Sequence, residues 1–298
     1  MSLKQKFIGS LVGEGVGDSL GAGVEGFPHF FEVREPGARY TDDTHMMIGI
    51  AESLIKNKGF NGDDMAKTFI KHYEAEPWRG YGPGPPRIFA LIKKGVSWDE
   101  AALKIYPGGS FGNGSAMRIA PVGIFYYNDQ ERLKDISYKS SKITHSHELG
   151  MEGAALQAMA VALAVGSEPP KLNRYEFLEK LNNFTSFDIY KKKLESIEIL
   201  LEKKEERDRI IKDLGNDVLV FNSVPTAIYS FLANSDFKDA VTYAVGLGGD
   251  TDTIGAMTGA IAGAYYGIDA IPQEWKNKLE NYEYIEKLAE SLWKIKSM

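Results

Sequence analysis

Two short segments, roughly 200 residues apart, concentrate the oxygen donors of this chain. The first is Thr41-Asp42-Asp43-Thr44, and the second is Gly248-Gly249-Asp250-Thr251-Asp252-Thr253. Carboxylates and threonine hydroxyls are hard oxygen ligands of the kind that Mg²⁺ and Mn²⁺ bind. Like-charged carboxylates that are brought together are costly unless cations compensate them. The two segments therefore predict a metal-dependent enzyme with two cations in one site.

Helix capping is the competing explanation for either segment taken alone. A threonine or aspartate before an apolar helical run often accepts a hydrogen bond from the first free backbone N–H groups. Two adjacent carboxylates and two hydroxyls are more than one helix start can use, and both segments show this excess. In the second segment, Gly248-Gly249 lacks side chains and allows backbone and ion to approach closely. We therefore predict metal binding, with each segment opening a helix.

A third acidic segment adds Glu25, which follows the glycine-rich residues 13–23. The first helix is predicted to end before Glu25, so that the glycine-rich exit places this carboxylate in a cleft. Two divalent cations would reduce five negative charges to about −1, which favours two metals over one. The glycines also resemble a dinucleotide-binding loop, but no strand precedes them, so close helix packing is the better explanation. The five carboxylates are those of Glu25, Asp42, Asp43, Asp250 and Asp252.

Three further segments carry groups suited to substrate binding. Ser110-Phe111-Gly112-Asn113-Gly114 is a small-residue turn whose backbone N–H groups suit a phosphate, although Gly-Asn-Gly is also an ordinary turn. The histidines of Thr144-His145-Ser146-His147 are more typical of hydrogen-bonding or capping residues than of metal ligands. Arg79-Gly80-Tyr81-Gly82-Pro83-Gly84 is a glycine-rich loop with an aromatic residue, which we interpret as a lid.

Helices are the elements that must position these groups, because apolar residues recur at helical spacing through most of the chain. We predict an all-α fold of ten or more helices. Since the two acidic segments must meet in space, we predict a single domain over residues 1–298. The charged run at residues 190–214 indicates a solvated helical face. Expected helix starts are Pro85-Pro86, Ser97 with Glu100 as a capping box, Thr144 or Ser146 before Glu148, and Asp236.

The composition is that of an ordinary soluble globular protein. Hydrophobic residues make up 43% of the 298 residues and charged residues 26%, and the net charge is −6. This acidic balance gives no reason to expect nucleic-acid or anionic membrane binding. The absence of cysteine excludes disulfides and thiolate ligands and suits a cytoplasmic location, as does a start without a signal peptide. The longest apolar stretch, residues 254–268, is too short to span a bilayer comfortably, so it is predicted to be a buried helix.

In chain order these motifs make the sequence similar to the ADP-ribosylglycohydrolase family. The similarity spans roughly residues 8–267 and rests on motifs specific to that family. It implies an all-α enzyme with a dinuclear Mg²⁺ or Mn²⁺ centre that acts on ADP-ribosylated protein. The motifs are Gly-Asp-x-x-Gly-x-x-x-Glu, Thr-Asp-Asp-Thr, Arg-Gly-Tyr-Gly, Ser-x-Gly-Asn-Gly-x-x-Met-Arg, Thr-His and Gly-Gly-Asp-Thr-Asp-Thr.

The resemblance also assigns roles to residues by position. Glu25 matches the family's mobile catalytic glutamate, and Asp43 and Asp252 are expected to take part in catalysis. Phe111 stands where relatives often have tyrosine, which keeps ring stacking. The implied metal ligands are Thr41, Asp42, Asp43, Asp250, Asp252 and Thr253. The implied substrate-binding residues are Ser110, Phe111, Gly112, Asn113, Gly114, His145 and Tyr81.

The reaction that this resemblance implies is hydrolysis at the anomeric carbon of a ribose attached to a protein side chain. The cations would orient the ribose hydroxyls and acidify a water molecule, and Glu25 would shuttle the proton. One alternative is a metal-dependent phosphoester or pyrophosphate hydrolase, which would release AMP instead of ADP-ribose. Another is a non-catalytic ADP-ribose-binding relative. Serine or polymer linkage is preferred over arginine linkage, and a monomer is expected.

Overall fold

The computed structural model describes residues 1–27, 35–37, 39–203 and 206–297. Helices make up almost all of the regular structure in these ranges, and the one β pairing is an isolated bridge between Gly112 and Leu219. The prediction of an all-α fold with ten or more helices is confirmed. The α-helices in chain order are α1 (Leu3–Gly21), α2 (Asp42–Asn57), α3 (Gly62–Ala75), α4 (Gly84–Lys93), α5 (Ala101–Ile105), α6 (Ala120–Phe125), α7 (Gln130–Lys142), α8 (Glu148–Gly166), α9 (Arg174–Phe184), α10 (Asp188–Lys203), α11 (Arg207–Leu214), α12 (Val220–Ala233), α13 (Phe237–Val245), α14 (Thr251–Tyr266), α15 (Gln273–Lys278) and α16 (Tyr282–Lys296).

Two of the four expected helix starts are observed. Pro85-Pro86 lies in the first turn of α4. Asp236 caps α13 by accepting a hydrogen bond from the Asp239 N–H. The capping box predicted from Ser97 and Glu100 is wrong, because the Ser97 hydroxyl bonds Asp99 and α5 begins only at Ala101. At the start of α8 the capping residue is His147, whose ring accepts from the Leu149 N–H, and not Thr144 or Ser146.

Glycines allow α1 and α14 to pack backbone against backbone in antiparallel orientation. A Cβ atom built on Gly17 would lie 2.0 Å from the Gly255 carbonyl oxygen, and one built on Gly259 would lie 2.0 Å from the Gly13 oxygen. Real Cβ atoms essentially never approach a carbonyl oxygen so closely, so these positions of α1 and α14 accept only glycine. We call this line of contact the glycine seam. The predicted close helix packing of the glycine-rich segment is confirmed. The seam places the end of α1 beside the start of α14.

Helix α8 fills the middle of the core. By length and composition it is the one helix among the described residues that is apolar enough to cross a membrane, yet 83% of its apolar window is buried inside the protein. It packs on α6, α7, α12 and α14, as a core helix does. Helix α14 is also buried, as predicted for residues 254–268.

The charged run at residues 190–214 forms α10 and α11, which place charged residues on their exposed faces. This agrees with the predicted solvated face, except that residues 204–205 of the run lie outside the described residues.

Candidate active site

A cavity of about 350 Å³ opens where the end of α1, the start of α2 and the start of α14 meet. Its walls differ in chemistry. The wall that we call the acidic wall consists of Glu25, Thr41, Asp42, Asp43, Asp250, Asp252 and Thr253. The wall that we call the neutral wall consists of Ser110, Gly112, Asn113, Gly114, Thr144 and His145. All predicted metal ligands and five of the seven predicted substrate-binding residues therefore line one cavity.

Asp18 holds the first acidic segment in place from α1. Its carboxylate accepts the Thr41 N–H at 3.0 Å and the Thr44 N–H at 3.0 Å. It also accepts the Thr44 hydroxyl at 2.5 Å. Thr41 in turn caps α2 through the Asp43 N–H. Capping and site formation are therefore combined here, because the bonds to Asp18 fix the backbone from which Asp42 and Asp43 project.

The second acidic segment is fixed by a turn and by two neighbouring segments. Gly248 and Gly249 have φ angles of 72° and 76°, in the left-handed region that favours glycine. The Asp250 N–H donates to the Asn216 carbonyl oxygen at 2.8 Å. On the other side, the Asn113 amide donates to Asp250 Oδ2 at 2.5 Å. Asp250 is thus oriented by contacts with residues distant in sequence.

The acidic wall has oxygen donors of the kind that divalent cations bind. Carboxylate oxygens of Glu25, Asp250 and Asp252 lie within 4.8 Å of one another. Asp43 Oδ1 is buried and has no hydrogen-bond partner in the described part of the chain. Nor does any acidic-wall carboxylate form an ion pair with a described lysine or arginine. Buried, unpaired carboxylates of this kind are costly unless cations bind between them, so the residues present fit a metal centre.

The pKa values of these carboxyls show that the described protein compensates their charge only in part, through Arg118 near Asp42. Burial and then repulsion by Asp18 raise the pKa of Asp42 to about 7. Burial and then repulsion by Asp250 raise the pKa of Asp252 to about 10. For Asp43, burial and the Asp252 charge raise the pKa well above its usual range. In each case removal from water is the first cause and a neighbouring carboxylate the second.

The neutral wall is built on the turn before α6. The Gly112 N–H donates to the Ser110 hydroxyl at 3.3 Å, and the Asn113 N–H donates to the Val218 carbonyl at 3.0 Å. A Cβ atom on Gly114 would lie 2.7 Å from the His145 ring, so this turn and the histidine can pack together only with glycine there. His145 Nδ1 hydrogen bonds Thr144 Oγ1 at 2.7 Å and is directed at no acidic residue, in agreement with the predicted hydrogen-bonding role.

Two predicted substrate-binding side chains do not line the cavity. The Tyr81 hydroxyl hydrogen bonds His45 Nδ1 at 2.9 Å, and its ring packs on Tyr73. Phe111 is 40% exposed outside the cavity and makes an edge contact with His147. Tyr81 therefore braces its loop, whereas Phe111 is free to contact a ligand only beyond the cavity mouth.

The loop predicted to be a lid forms one side of the cavity. Gly80, Gly82 and Pro83 line it. The loop is anchored by Arg79, which bonds the Tyr40 carbonyl at 3.0 Å and Glu280 at 2.6 Å. In this structure the loop is therefore anchored and forms a fixed wall of the cavity; its action as a lid stays a prediction.

Three residues that the structure brings to the site were not predicted as site residues. Asp18 organises the first acidic segment, and Thr144 and Arg118 line the cavity. Asp18 and Arg118 do stand within the Gly-Asp and Met-Arg motifs, which was a usable signal. The side-chain directions of Asp18 and Arg118 could not be predicted from spacing, because each side chain bonds a segment distant in sequence. Further lining residues are Met46, Gly84, Pro85, Tyr106, Met117 and Val218.

Comparison with known proteins gives a consistent result. The sequence profile described as ADP-ribosylglycohydrolase matches residues 1–297. The human ADP-ribosylhydrolase ARH3 is 36% identical over 286 residues, covering 86% of this chain and 78% of the human protein. The chicken ADP-ribosylhydrolase ARH3 is 34% identical, over 97% of this chain and 93% of its own length.

A solved structure, named as an ADP-ribosylglycohydrolase-related protein complex, superposes with a TM-score of 0.80 at 28% identity. The superposition covers 99% of both chains. The predicted family resemblance is thus confirmed by sequence and by fold. The chain belongs to the ADP-ribosylglycohydrolase family and is an enzyme of the glycohydrolase class.

Proposed function

We propose that this enzyme removes ADP-ribose from modified protein side chains by metal-dependent hydrolysis of the bond at the ribose anomeric carbon. The observation that carries the proposal is one cavity with two chemically distinct walls. The acidic wall has the donors for divalent cations, and the neutral wall has hydroxyl, amide and imidazole groups for an uncharged or anionic ligand. A volume of about 350 Å³ falls within the range of small-molecule sites.

Two Mg²⁺ or Mn²⁺ ions are the proposed cofactors, and both acidic segments supply their ligands. Bound there, the cations would polarise ribose oxygens and favour loss of a proton from water near neutral pH. The proposed ligands are Thr41, Asp42 and Asp43 from the start of α2, and Asp250, Asp252 and Thr253 from the start of α14.

Glu25 is the proposed proton carrier. It lies after the end of α1 and, unlike the buried aspartates, is exposed to solvent. Partial burial and the Asp250 charge raise its pKa above the usual range, which suits a group that both accepts and returns a proton. As water attacks, a bond forms between its oxygen and the anomeric carbon, and the bond to the side-chain atom breaks. Glu25 accepts the water proton and passes it to the leaving atom.

The neutral wall is proposed to bind the part of ADP-ribose away from the reacting bond. Ser110 and His145 offer polar groups there, and the glycines at 112 and 114 leave room for a ligand against the backbone. Exposed Phe111, outside the cavity, is placed to stack on a ring that extends from its mouth. Five of the seven predicted substrate-binding residues line this wall, whereas Phe111 and Tyr81 do not line the cavity.

The linkage that we propose is to serine or to another ADP-ribose unit. The sequence at residues 79–82 and 248–257 is closer to that type than to the arginine type. Cytoplasmic location and a monomeric state remain predictions. Pyrophosphate cleavage and binding without catalysis are not favoured, since the chain is a glycohydrolase by family and keeps every expected acidic residue.

The test is release of free ADP-ribose from ADP-ribosyl-serine and ADP-ribosyl-arginine peptides, each with Mg²⁺, with Mn²⁺ and with a chelator. We expect metal-dependent release from the serine peptide. The Asp252→Asn variant should lose this activity, whereas Glu198→Gln, a matched change of an exposed acid on α10, should not. Release of AMP from free ADP-ribose, or undiminished release in the presence of chelator, would contradict the proposal.

A further inference from the structure

Beneath the neutral wall lies a buried cation that the proposed reaction does not use. Arg118 is 0% exposed and forms no ion pair within the described residues. Its Nη2 donates to the Thr144 hydroxyl oxygen at 2.8 Å, and its guanidinium lies 4.8 Å from the Phe69 ring centre. Asp42 acts on Arg118 through its charge, without an ion pair or a hydrogen bond, so the hydrogen bond from Arg118 to Thr144 needs an explanation of its own.

The hydrogen bonds of Arg118 have a fixed direction. Guanidinium groups only donate, so Thr144 Oγ1 must be the acceptor of the bond from Arg118. Burial lowers the pKa of Arg118 to about 9, which leaves it charged at neutral pH. In the described ranges, the other hydrogen bond of Thr144 Oγ1 is to His145 Nδ1, at 2.7 Å. A hydroxyl oxygen has two lone pairs and one proton. No other described residue accepts a hydrogen bond from Thr144 Oγ1, so its buried proton has a partner only when it is directed at Nδ1, which is then the acceptor.

This direction determines where the imidazole carries its proton. A neutral histidine with an accepting Nδ1 carries its hydrogen on Nε2. Burial and then the Arg118 charge lower the pKa of His145 to about 3, so the ring is neutral at physiological pH. A Cβ atom on Gly114 would lie 3.1 Å from Nε2, which shows that this edge of the ring faces the small-residue turn of the cavity. No described residue accepts a hydrogen bond from Nε2.

We propose that Arg118 and Thr144 are positioning residues, which hold His145 in its Nε2-protonated neutral form so that it donates a hydrogen bond to an oxygen of bound ADP-ribose. This inference rests on the proposed function for the identity of the ligand. It adds a chain of donors that runs from a buried charge to the cavity. The acceptor on the ligand is a phosphate or hydroxyl oxygen, because Nε2–H can only donate.

The first measurement is the ¹⁵N NMR spectrum of histidine-labelled protein without ligand, at neutral pH. The chain has five histidines, and the His145→Gln variant identifies the His145 signals. We expect a protonated Nε2 and an unprotonated Nδ1. A protonated Nδ1 in the wild-type protein would overturn the proposal without any requirement that a variant fold.

The second measurement is ADP-ribose binding by calorimetry in a pair of matched variants. Thr144→Val removes the hydroxyl and should weaken ADP-ribose binding roughly 10-fold, with a mixture of tautomers at His145. Thr144→Ser keeps the hydroxyl and should restore both the wild-type tautomer and the affinity. An unchanged tautomer and affinity in Thr144→Val would overturn the proposal.

These readouts separate this inference from the proposed reaction. The tautomer is measured without substrate, and binding is measured without turnover. Wild-type protein that has the Nε2–H form and Thr144-dependent ADP-ribose binding would support the inference even if no ADP-ribose were released from the peptides. That result would count against the proposed hydrolysis alone.

Discussion

The two walls of the cavity solve the problem of buried polar groups in opposite ways. On the acidic wall, burial and then repulsion between neighbouring carboxylates raise the pKa values of Asp42, Asp43 and Asp252, and none of the three forms an ion pair with a described lysine or arginine. On the neutral wall, Thr144 and His145 have hydrogen-bond partners within the protein. The difference teaches that the described protein leaves much of the charge on the acidic wall uncompensated, as the proposed cations require, whereas it orders the neutral wall through its own hydrogen bonds.

The sharpest test of the acidic wall is a substitution of Glu25, its exposed member. Glu25→Gln removes the proposed proton carrier and keeps the shape of the side chain. We expect turnover to fall on the order of 100- to 10,000-fold, because a positioned acid–base group contributes about that much. The measurement is the rate of ADP-ribose release at saturating metal. Turnover within a few-fold of the wild type would remove Glu25 from the mechanism.

The seam between α1 and α14 determines whether the acidic wall assembles. Gly17→Ala would place a methyl group 2.0 Å from the Gly255 carbonyl oxygen. We expect the free energy of unfolding to fall by about 3 kcal/mol, as overpacking of a tight contact does. Denaturant unfolding measures this. The control is Gly23→Ala, where nothing lies within 4 Å of the added atom and the free energy should barely change. Equal stability of both variants would show that the seam can relax.

Asn113 belongs to the neutral wall but orients a member of the acidic wall. Its amide donates to Asp250 and to the Ser223 hydroxyl. Asn113→Leu should weaken Mg²⁺ or Mn²⁺ binding by about 10- to 100-fold, the usual effect of losing a group that orients a metal ligand. Metal titration by calorimetry measures this. The matched control is Asn222→Leu, whose amide donates to exposed Asp217. Unchanged metal affinity in the Asn113 variant would make it a substrate-binding residue only.

The smallest expected effect is the pH dependence of stability without metal. A carboxyl whose pKa is raised by folding binds its proton more tightly in the native state. For Asp42, this contribution to stability is present below the ordinary pKa of 3.8 and is lost as pH rises through about 7. The metal-free protein should therefore lose a few degrees of melting temperature between pH 5 and pH 8.

Added Mg²⁺ should reverse this loss, and its stabilising effect should be larger at pH 8 than at pH 5. Thermal melts with and without Mg²⁺ at both pH values give the comparison. Stabilisation by Mg²⁺ that is equal at both pH values, or absent, would contradict the view that the acidic wall lacks only cations.

Much of this site could be predicted from local sequence. The density of acids at residues 41–44 and 250–253, the helical periodicity and the position of Glu25 after a helix end are all short-range patterns. They indicated an all-α fold and the residues of the acidic wall. Predictions of helix caps were wrong where two nearby residues or partners compete for the same hydrogen bond. Ser97 bonds Asp99 rather than capping a helix, and His147 caps α8 in place of Thr144 or Ser146.

Other features were decided only by the tertiary structure. The Tyr81 hydroxyl bonds His45 and Tyr81 does not line the cavity, and Asn113 binds Asp250 across 137 positions of sequence. Asp18 is bound to the start of a different helix, and Arg118 is bound to Thr144. The sequence by itself determined which residues carry charge and which segments are helical, since both follow from residue type and spacing. Which side chains meet depends on how helices cross, and that is set by close contacts such as the glycine seam, which no spacing rule contains.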